Sequence, residues 1–270
     1  MIFMPRTPWN GRLARQGYQL TELGRAKVRR SLWRGCRLAY DPLGASTGGS
    51  VINRAYQRQH GTRYNDTTYE SGAWSFDGTD YIRVPANDWL YCSPKMTVSF
   101  WCKSTTTNYA TNAYVVSMYD YVGSNRTWAV RVVSVGDYWG VITSNNGAAS
   151  SGEETTQAVE TGWHFISVST ADDGSEWEFY YDGDLIDTLS QPSPYSDQGS
   201  FLEIGGLSGG NGWDGLIRDV RIYDRALPAE LHADLAIRQG IAYECQKMPT
   251  YFLPAASSSF PFPLFAGAAA

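Results

Sequence analysis

Residues 177–189 read WEFYYDGDLIDTL, and this stretch decides the class of fold that the sequence predicts. Its first part alternates, so Trp177, Phe179 and Tyr181 lie on one face of an extended strand. Asp182 and Gly183 supply the two residues with positive φ that a tight hairpin turn requires, and residues 185–189 run back antiparallel. The stretch therefore predicts an antiparallel β-hairpin.

Similar short runs recur along most of the chain, separated by clusters of Gly, Asn, Asp and Ser. Besides the two arms of the hairpin, they cover residues 74–76, 81–84, 96–103, 114–118, 128–133, 139–143, 164–170, 201–204 and 215–223. Runs of this length and spacing are typical of a two-sheet sandwich or a barrel. Residues 226–238 differ, because Pro228 suits a first helical turn and Leu231 and Leu235 share a face, which predicts a helix.

Composition and charge agree with a β-rich body and reveal a basic arm. The chain has 10 Trp, 18 Tyr, 10 Phe and 27 Gly, residues that favour strands and turns. The net charge of −5 is unevenly spread, with 12 Lys/Arg against 2 Asp/Glu in residues 1–63, and 9 against 24 in residues 64–240. We expect the basic arm to meet an acidic surface, which could be nucleic acid, a neighbouring subunit or its own body.

Three segments follow from these patterns. We expect a basic arm over residues 1–31, in which Thr21 could cap a short helix over 22–33, a β domain over 32–239, and an apolar tail over 240–270. The tail has four Pro and four Phe without a period, and its aromatic side chains require a cover. Both terminal segments are therefore expected to anchor the domain on a partner. The anchoring residues would be Arg6, Arg12, Arg15, Phe252, Phe260, Phe262 and Phe265.

Cysteine spacing and hydropathy limit the setting of the protein. Cys36, Cys92, Cys102 and Cys245 match no zinc or redox spacing, so we predict no obligatory disulfide, and Cys102 alternates in its run as a small buried hydrophobe. Residues 1–17 lack the apolar region of a signal peptide, and no run reaches the roughly 18 apolar residues of a membrane helix. We expect a chain made in a cytoplasm without membrane contact.

Five motifs, in order, resemble the laminin-G-like, concanavalin A-like jelly-roll family. They are FDGTDYIRVP at 76–85, TGWHFISVS at 161–169, FYYDGDL at 179–185, LEIGG at 202–206 and WDGLIRDVRIYDRALP at 213–228, while LWRGC at 32–36 and HGT at 60–62 are similar to the family's first strand. The resemblance spans residues 32–238 and implies an all-β, two-sheet antiparallel jelly-roll sandwich. This fold occurs in lectin-like modules, glucanases and virion proteins of tailed bacteriophages, so it does not choose a function by itself.

Catalytic residues are not predicted. Glucanases on this fold use paired carboxylates on one strand, and retaining chemistry needs the two carboxyls about 5 Å apart. Glu176 and Glu178 share a face and are the nearest candidates, but a third acid is missing and the strand is a surface strand of the hairpin. The three histidines are His60, His164 and His232, and neither His60 nor His164 has a Ser or Cys in a nucleophile motif, so a nucleophilic triad is not supported.

The resemblance implies one calcium ion, held by carboxylate, amide and carbonyl oxygens. Asp77, Asp80 and Asp219 lie in the matching motifs, although turn geometry is an alternative reason for an aspartate at each position. No other cofactor is expected.

A glycan site would use exposed aromatic rings as flat platforms, with Asn and Asp at the rim. The loop at 104–112 could supply that rim. The alternative for each aromatic residue is a place in the core. The candidate platforms are Tyr119, Tyr121, Trp128, Tyr138 and Trp139.

The sequence therefore favours a non-enzymatic virion protein of a tailed bacteriophage, a capsid decoration or fibre-type surface protein. Its partners would be other virion proteins or copies of itself, and its lectin-like jelly roll would face host-surface glycans, where repetition adds avidity. It would be assembled in the host cytoplasm and exposed on the particle. The alternative is a stand-alone or secreted carbohydrate-binding module. Nucleic-acid binding by the arm alone is a weaker hypothesis that predicts a steep salt dependence.

Overall fold

The computed structural model describes residues 32–42, 49–55, 59–87, 90, 94–120, 125–171, 175–192, 194, 200–207 and 210–237. The predicted arm, the tail and most of the helix over 22–33 lie outside these ranges. The three segment boundaries therefore remain predictions.

Sixteen strands and one complete helix lie in the described ranges, which also contain two helical residues at their start, Leu32 and Trp33. The strands are β1 (Cys36–Tyr40), β2 (Ser50–Val51), β3 (Gly61–Tyr64), β4 (Thr68–Glu70), β5 (Ala73–Asp77), β6 (Tyr81–Val84), β7 (Thr97–Ser104), β8 (Ala113–Asp120), β9 (Asn125–Val133), β10 (Tyr138–Thr143), β11 (Ser151–Ala158), β12 (Trp163–Thr170), β13 (Trp177–Tyr181), β14 (Asp184–Leu189), β15 (Leu202–Ile204) and β16 (Asp214–Tyr223). The helix is α1 (Ala229–Ile237).

The strands form two antiparallel sheets of eight strands each. Sheet A has the order β14-β13-β12-β7-β16-β5-β4, and β1 pairs with the second half of β16. Sheet B has the order β11-β10-β9-β8-β15-β6-β3-β2. The predicted two-sheet antiparallel jelly-roll sandwich is confirmed, and the alternative of a barrel is wrong.

Alternate residues of the two sheets fill a single core between them. Val98, Phe100 and Cys102 of β7 are buried there, which confirms the place predicted for Cys102. The Trp139 ring lies near the centre, with its centroid 6.3 Å from that of Phe100 and 5.7 Å from that of Trp213. Large aromatic side chains therefore supply much of the buried area that stabilises this sandwich.

The hairpin predicted for residues 177–189 is confirmed as β13 and β14. Its turn residues Asp182 and Gly183 have φ values of 51° and 91°, the positive φ that the turn requires. The Asp182 side chain accepts a hydrogen bond from the backbone N–H of Phe165 at 2.8 Å, which ties the turn to β12. A register shift between Phe179 and Tyr180 is the one departure from regular pairing in this hairpin.

β11 was not predicted, because its sequence SGEETTQA has no apolar run. It is an edge strand of sheet B, and only Thr155 is buried along it. Charged side chains on an exposed edge prevent pairing with other chains, which explains why the pattern is polar.

The predicted helix is confirmed as α1 and packs on the outer face of sheet A. Leu231 and Leu235 lie in a second apolar cluster with Phe165. His232 is fully buried, with its Nδ1 at 2.8 Å from the Ser167 hydroxyl and its Nε2 at 3.0 Å from the Leu227 carbonyl. In the described part of the chain, no helix is long and apolar enough to span a membrane.

Candidate functional site

An open cleft of about 310 Å³ lies where three segments meet: the end of β5, the loop that follows β7, and the residues that open β16. It is mostly polar. The lining residues are Asp77, Gly78, Thr106, Asn108, Tyr109, Ala110, Thr111, Asn211, Gly212 and Asp214.

The loop after β7 is held firmly against the body. The backbone N–H of Thr105 donates to the Asp214 carbonyl at 3.1 Å, and the N–H of Tyr109 donates to the Asp137 carboxylate at 2.7 Å. The Tyr109 ring stacks on Trp213 with centroids 5.7 Å apart, and its hydroxyl lies 2.6 Å from that of Ser104. The cleft wall is therefore preorganised by contacts that do not need a ligand.

Two glycines allow the other walls to approach closely. The N–H of Gly212 donates to the Gly78 carbonyl at 3.1 Å. A Cβ at position 212 would lie only 2.5 Å from that carbonyl oxygen, so no larger residue fits without a backbone shift. The floor of the cleft therefore exposes backbone that a side chain would otherwise cover.

Carboxylates and amides border this floor. Asp77 and Asp214 are partners across β5 and β16. Asp77 accepts hydrogen bonds from the Thr79 N–H at 2.9 Å and the Thr79 hydroxyl at 2.8 Å, and these bonds lower the pKa of Asp77. Asn108 and Asn211 are exposed at the rim. The cleft thus offers fixed acceptors together with amide groups that can both donate and accept.

The loop predicted to form a rim, 104–112, does line this cleft, but the predicted platforms do not. Trp128 and Trp139 are 1% exposed and belong to the core, and Tyr119 is 5% exposed. The prediction of exposed platforms is wrong for these three residues, because they are buried. Tyr138 is 38% exposed but lies outside the cleft lining, and Tyr121 lies outside the described residues.

Asp77, Asp80 and Asp219 do not come together around one point. Asp80 is 4% exposed and accepts the Asp66 N–H at 2.9 Å, while burial raises its pKa. Asp219 forms a buried ion pair with Arg221 at 2.9 Å. Asp77 lies opposite Asp214 in the sheet, and Asp219 is five positions further along the same strand as Asp214. Five positions correspond to roughly 17 Å along a strand.

The three aspartates therefore do not fit a single calcium ion, and the predicted site made of all three is wrong. Among the residues whose placement is described, no group of three or more His, Cys, Asp or Glu is arranged to hold a metal. Whether the protein needs calcium stays a prediction.

A catalytic arrangement is not favoured by the described geometry. A general acid on this fold needs a raised pKa, whereas the pKa of Asp77 is lowered. The carboxylate of Glu178 accepts a hydrogen bond from the Tyr180 hydroxyl at 2.7 Å. Cys102 is paired in register with His164, but its thiol is buried in the core and burial raises its pKa well above the usual value, which makes it inert.

A second exposed aromatic surface, also absent from the sequence prediction, lies on the outer face of sheet B. The guanidinium of Arg83 lies 4.6 Å from the Phe201 ring centroid and 5.2 Å from that of Tyr64. Arg83 is already paired with Glu203 at 2.7 Å. This patch therefore has fewer groups available to a ligand than the cleft has.

Sequence reasoning missed Asn211, Gly212 and Asp214 as cleft residues. They lie about a hundred residues from the loop at 105–112, and only the fold brings them together. The glycine-rich run GGNGWDG at 209–215 was the available signal, because such runs allow a close backbone approach.

Comparisons with known proteins agree with this architecture. The family model Laminin_G_3, described as the concanavalin A-like lectin/glucanases superfamily, matches residues 76–231, which include every segment of the cleft. No curated protein gives a significant sequence match to the chain.

Solved structures with a similar fold include binding domains of botulinum neurotoxins. The serotype D/C VPI 5993 domain superposes with a TM-score of 0.60 at 11% identity, covering 76% of this chain and 52% of that one. The binding domain of botulinum neurotoxin DC in complex with SialylT superposes with a TM-score of 0.60 at 12% identity, and it also covers 76% of this chain and 52% of that one. A third similar structure comes from work on botulinum neurotoxin type C, whose cell entry is described as dependent on interaction with two ganglioside molecules. It superposes with a TM-score of 0.58 at 13% identity, covering 77% of this chain and 52% of that one. The chain thus spans about half the length of these structures, and the likeness shows the fold.

Proposed function

Since the chain belongs to the concanavalin A-like lectin/glucanases superfamily, we propose that it is a non-enzymatic glycan-binding protein whose sugar site is the cleft around Asp77 and Asn108. One observation carries the proposal. Carboxylate, amide and glycine backbone groups from three distant segments converge on one open cleft, and hydrogen bonds within the protein hold one of its walls.

These groups suit a ligand rich in hydroxyls. A carboxylate accepts two hydroxyl hydrogen bonds at once, and an amide can donate to one hydroxyl while it accepts from another. The volume lies at the lower end of the range for small-molecule sites, which favours the terminal residue of a glycan over a long chain. Tyr109, stacked on Trp213, forms an apolar backing for one wall.

The two carboxylates in the cleft are better suited to binding a ligand than to catalysis. Asp77 is kept ionised by Thr79, and the Asp214 carboxylate accepts a hydrogen bond from the Thr105 hydroxyl. Asp77 therefore lacks the raised pKa that a general acid needs. Two of the similar folds are described with SialylT and with gangliosides as ligands, which supports a glycan as the ligand class.

The setting we propose is the surface of a tailed-bacteriophage virion, as a capsid decoration or fibre-type protein. The basic arm and the Pro/Phe-rich tail would anchor the domain on other virion proteins or on copies of itself, and the jelly roll would be displayed outward. The support is the charge contrast between residues 1–63 and 64–240, together with two segments, LWRGC at 32–36 and FDGTDY at 76–81, that resemble phage versions of the fold. Repetition on a particle would turn weak glycan contacts into avidity.

A glycan panel screened with the full chain tests the binding proposal. Asn108→Ala removes a rim amide whose side chain has no hydrogen-bond partner among the described residues, and we expect the affinity for the bound glycan to fall about tenfold, or about 1.4 kcal/mol. Asn145→Ala, a change of another exposed asparagine that lies outside the cleft, is the control. No bound glycan, or equal loss in both variants, would contradict the proposal.

Native mass in near-physiological salt tests the anchoring proposal. The triple variant Arg6→Gln, Arg12→Gln, Arg15→Gln reduces the charge of the arm and changes no residue of the jelly roll. We expect the wild-type chain to assemble and the variant to assemble less. A wild-type chain that stays monomeric and still binds a glycan would favour the alternative, a stand-alone carbohydrate-binding module.

A further inference from the structure

Arg218 lies between two tryptophans on the outer face of sheet A. Its guanidinium carbon is 4.5 Å from the ring centroid of Trp163 and 5.6 Å from that of Trp101. The register pairs Arg218 with Trp101, and Trp163 with Lys103. The intervening residues Cys102 and Ile217 point into the core, so these four side chains share the opposite, outer face.

The charge of Arg218 is not neutralised by an adjacent carboxylate. Arg83 and Arg221 each pair with one, at 2.7 and 2.9 Å. Arg218 has no ion pair or hydrogen bond from its side chain within the described ranges. Asp219 and Asp41 favour its charged form from a distance, but Asp219 is already paired with Arg221.

Burial lowers the pKa of Arg218, because the two indole rings replace part of its water shell. An arginine remains charged at neutral pH in spite of such a shift. The two rings hold the guanidinium in place, so less conformational freedom is lost when it binds an anion.

Lys103 adds a second positive charge to the same face. It is exposed, it stands beside Trp163 in the register, and the described ranges contain no carboxylate within ion-pair distance of it. This is unusual in a body where residues 64–240 carry 24 Asp/Glu against 9 Lys/Arg. The two charges make a local positive site on an acidic domain.

We propose that Arg218, Lys103 and Trp163 form an acidic-sugar site, which binds the carboxylate of a sugar residue in a glycan. The planar guanidinium donates two N–H groups to the carboxylate, Lys103 contributes a point charge, and the exposed part of the Trp163 indole contacts the sugar ring. The inference rests on the proposed glycan-binding function and specifies its ligand class.

The acidic-sugar site and the cleft lie along one strand. Asp214 and Arg218 are both on β16, four residues apart, which corresponds to roughly 14 Å. One oligosaccharide could therefore reach both, with a neutral residue in the cleft and the acidic residue at Arg218.

The test uses the full chain and two oligosaccharides that differ in one group, a carboxylate or the hydroxymethyl group obtained by reducing it. Isothermal titration is expected to show about tenfold tighter binding of the carboxylate form by the wild-type chain. Arg218→Gln should abolish this preference, so that the variant binds the carboxylate form and the neutral form with similar affinity. Arg218→Lys keeps the charge without the planar fork, so it should keep part of the preference.

Arg34→Gln is the matched control, because it removes the same charge from an exposed turn outside the site. Equal loss in Arg34→Gln and Arg218→Gln would overturn the inference, since it would show a general charge effect. Equal binding of both oligosaccharides by the wild-type chain would also overturn it. So would inorganic phosphate or a sulfated analogue that displaces the bound carboxylate oligosaccharide as well as the free carboxylate oligosaccharide does.

The two proposals fail in different ways. Neutral-glycan binding that is sensitive to Asn108→Ala, without any carboxylate preference, contradicts only the acidic-sugar site. Carboxylate-dependent binding that needs Arg218 but ignores Asn108→Ala contradicts the cleft as the sugar site. A melting temperature within a few degrees of wild type confirms that each variant is folded.

Discussion

Asp77 and Asp214 face each other as register partners across β5 and β16, and both border the same cleft. They are held by different neighbours: Asp77 by Thr79 within its own turn, and Asp214 by Thr105 from the loop after β7. One pair of residues thus joins a turn, a loop and two strands. The shape of the cleft depends on this junction.

The turn that holds Asp77 predicts a difference between two substitutions. Asp77→Asn keeps an oxygen that can accept from Thr79, whereas Asp77→Ala removes it. We expect Asp77→Ala to lower the free energy of unfolding by about 1 kcal/mol and Asp77→Asn by clearly less. Urea unfolding at pH 7 measures both. Equal losses would show that the bonds to Thr79 do not stabilise the turn.

Gly212→Ala should destabilise the protein through a steric clash. The added Cβ would lie 2.5 Å from the Gly78 carbonyl oxygen and 2.9 Å from that of Gly205, and backbone cannot move aside easily. We expect a loss of about 1–3 kcal/mol and a distorted cleft. Gly162→Ala is the matched control, because its Cβ meets only the end of the His164 side chain. Thermal unfolding that finds Gly212→Ala no worse than the control contradicts this account.

Arg83 and Glu203 should be strongly coupled. They are joined by two hydrogen bonds at 2.7 and 2.9 Å, and the Glu203 side chain is only 6% exposed. A double-mutant cycle with Arg83→Met and Glu203→Gln is expected to give a coupling energy of about 1–2 kcal/mol. Arg83→Met should cost more than Glu203→Gln, because the carboxylate is the more buried partner. A coupling energy near zero would mean that solvent screens the pair.

His232 should make the stability depend on pH. Burial is the main cause that lowers its pKa to about 4, from 6.5. Below pH 6.5 the unfolded chain binds a proton at this residue, and the folded chain does not do so until about pH 4. Stability should therefore fall as the pH falls through this window, by about 3 kcal/mol in total.

The variant His232→Phe isolates this contribution, since phenylalanine can still stack on Tyr180 but cannot titrate. It should be less stable than wild type at pH 7, because the bonds to Ser167 and Leu227 are lost. Its stability should, however, fall less steeply between pH 6.5 and 4. Parallel curves for the two proteins would assign the pH dependence to other groups.

Much of the fold was predictable because the strands that build the core alternate in hydrophobicity. The hairpin at 177–189 shows this, with Trp177 and Phe179 in the core as expected. The edge strand β11 could not be found in the same way, because its side chains are selected for solubility rather than for burial.

The site was predictable only in part. The loop at 104–112 was identified from its polar residues, but Trp128 and Trp139 were placed on the wrong face, because both lie in the core. In β9, Trp128, Val130 and Val132 are every second residue and therefore share the face that points into the core. Arg131 lies on the opposite face. The cleft partners Asn211 and Asp214 depend on tertiary structure, which periodicity does not encode.

The most direct measurement is a crystal structure of the full chain with the tightest-binding glycan from the panel. The account predicts density for a sugar residue in the cleft, with hydroxyls within hydrogen-bond distance of Asp77 and Asn108. Electron density for the glycan only at another surface, such as over Tyr64 and Phe201 on the outer face of sheet B, would contradict the proposal that the cleft is the glycan site.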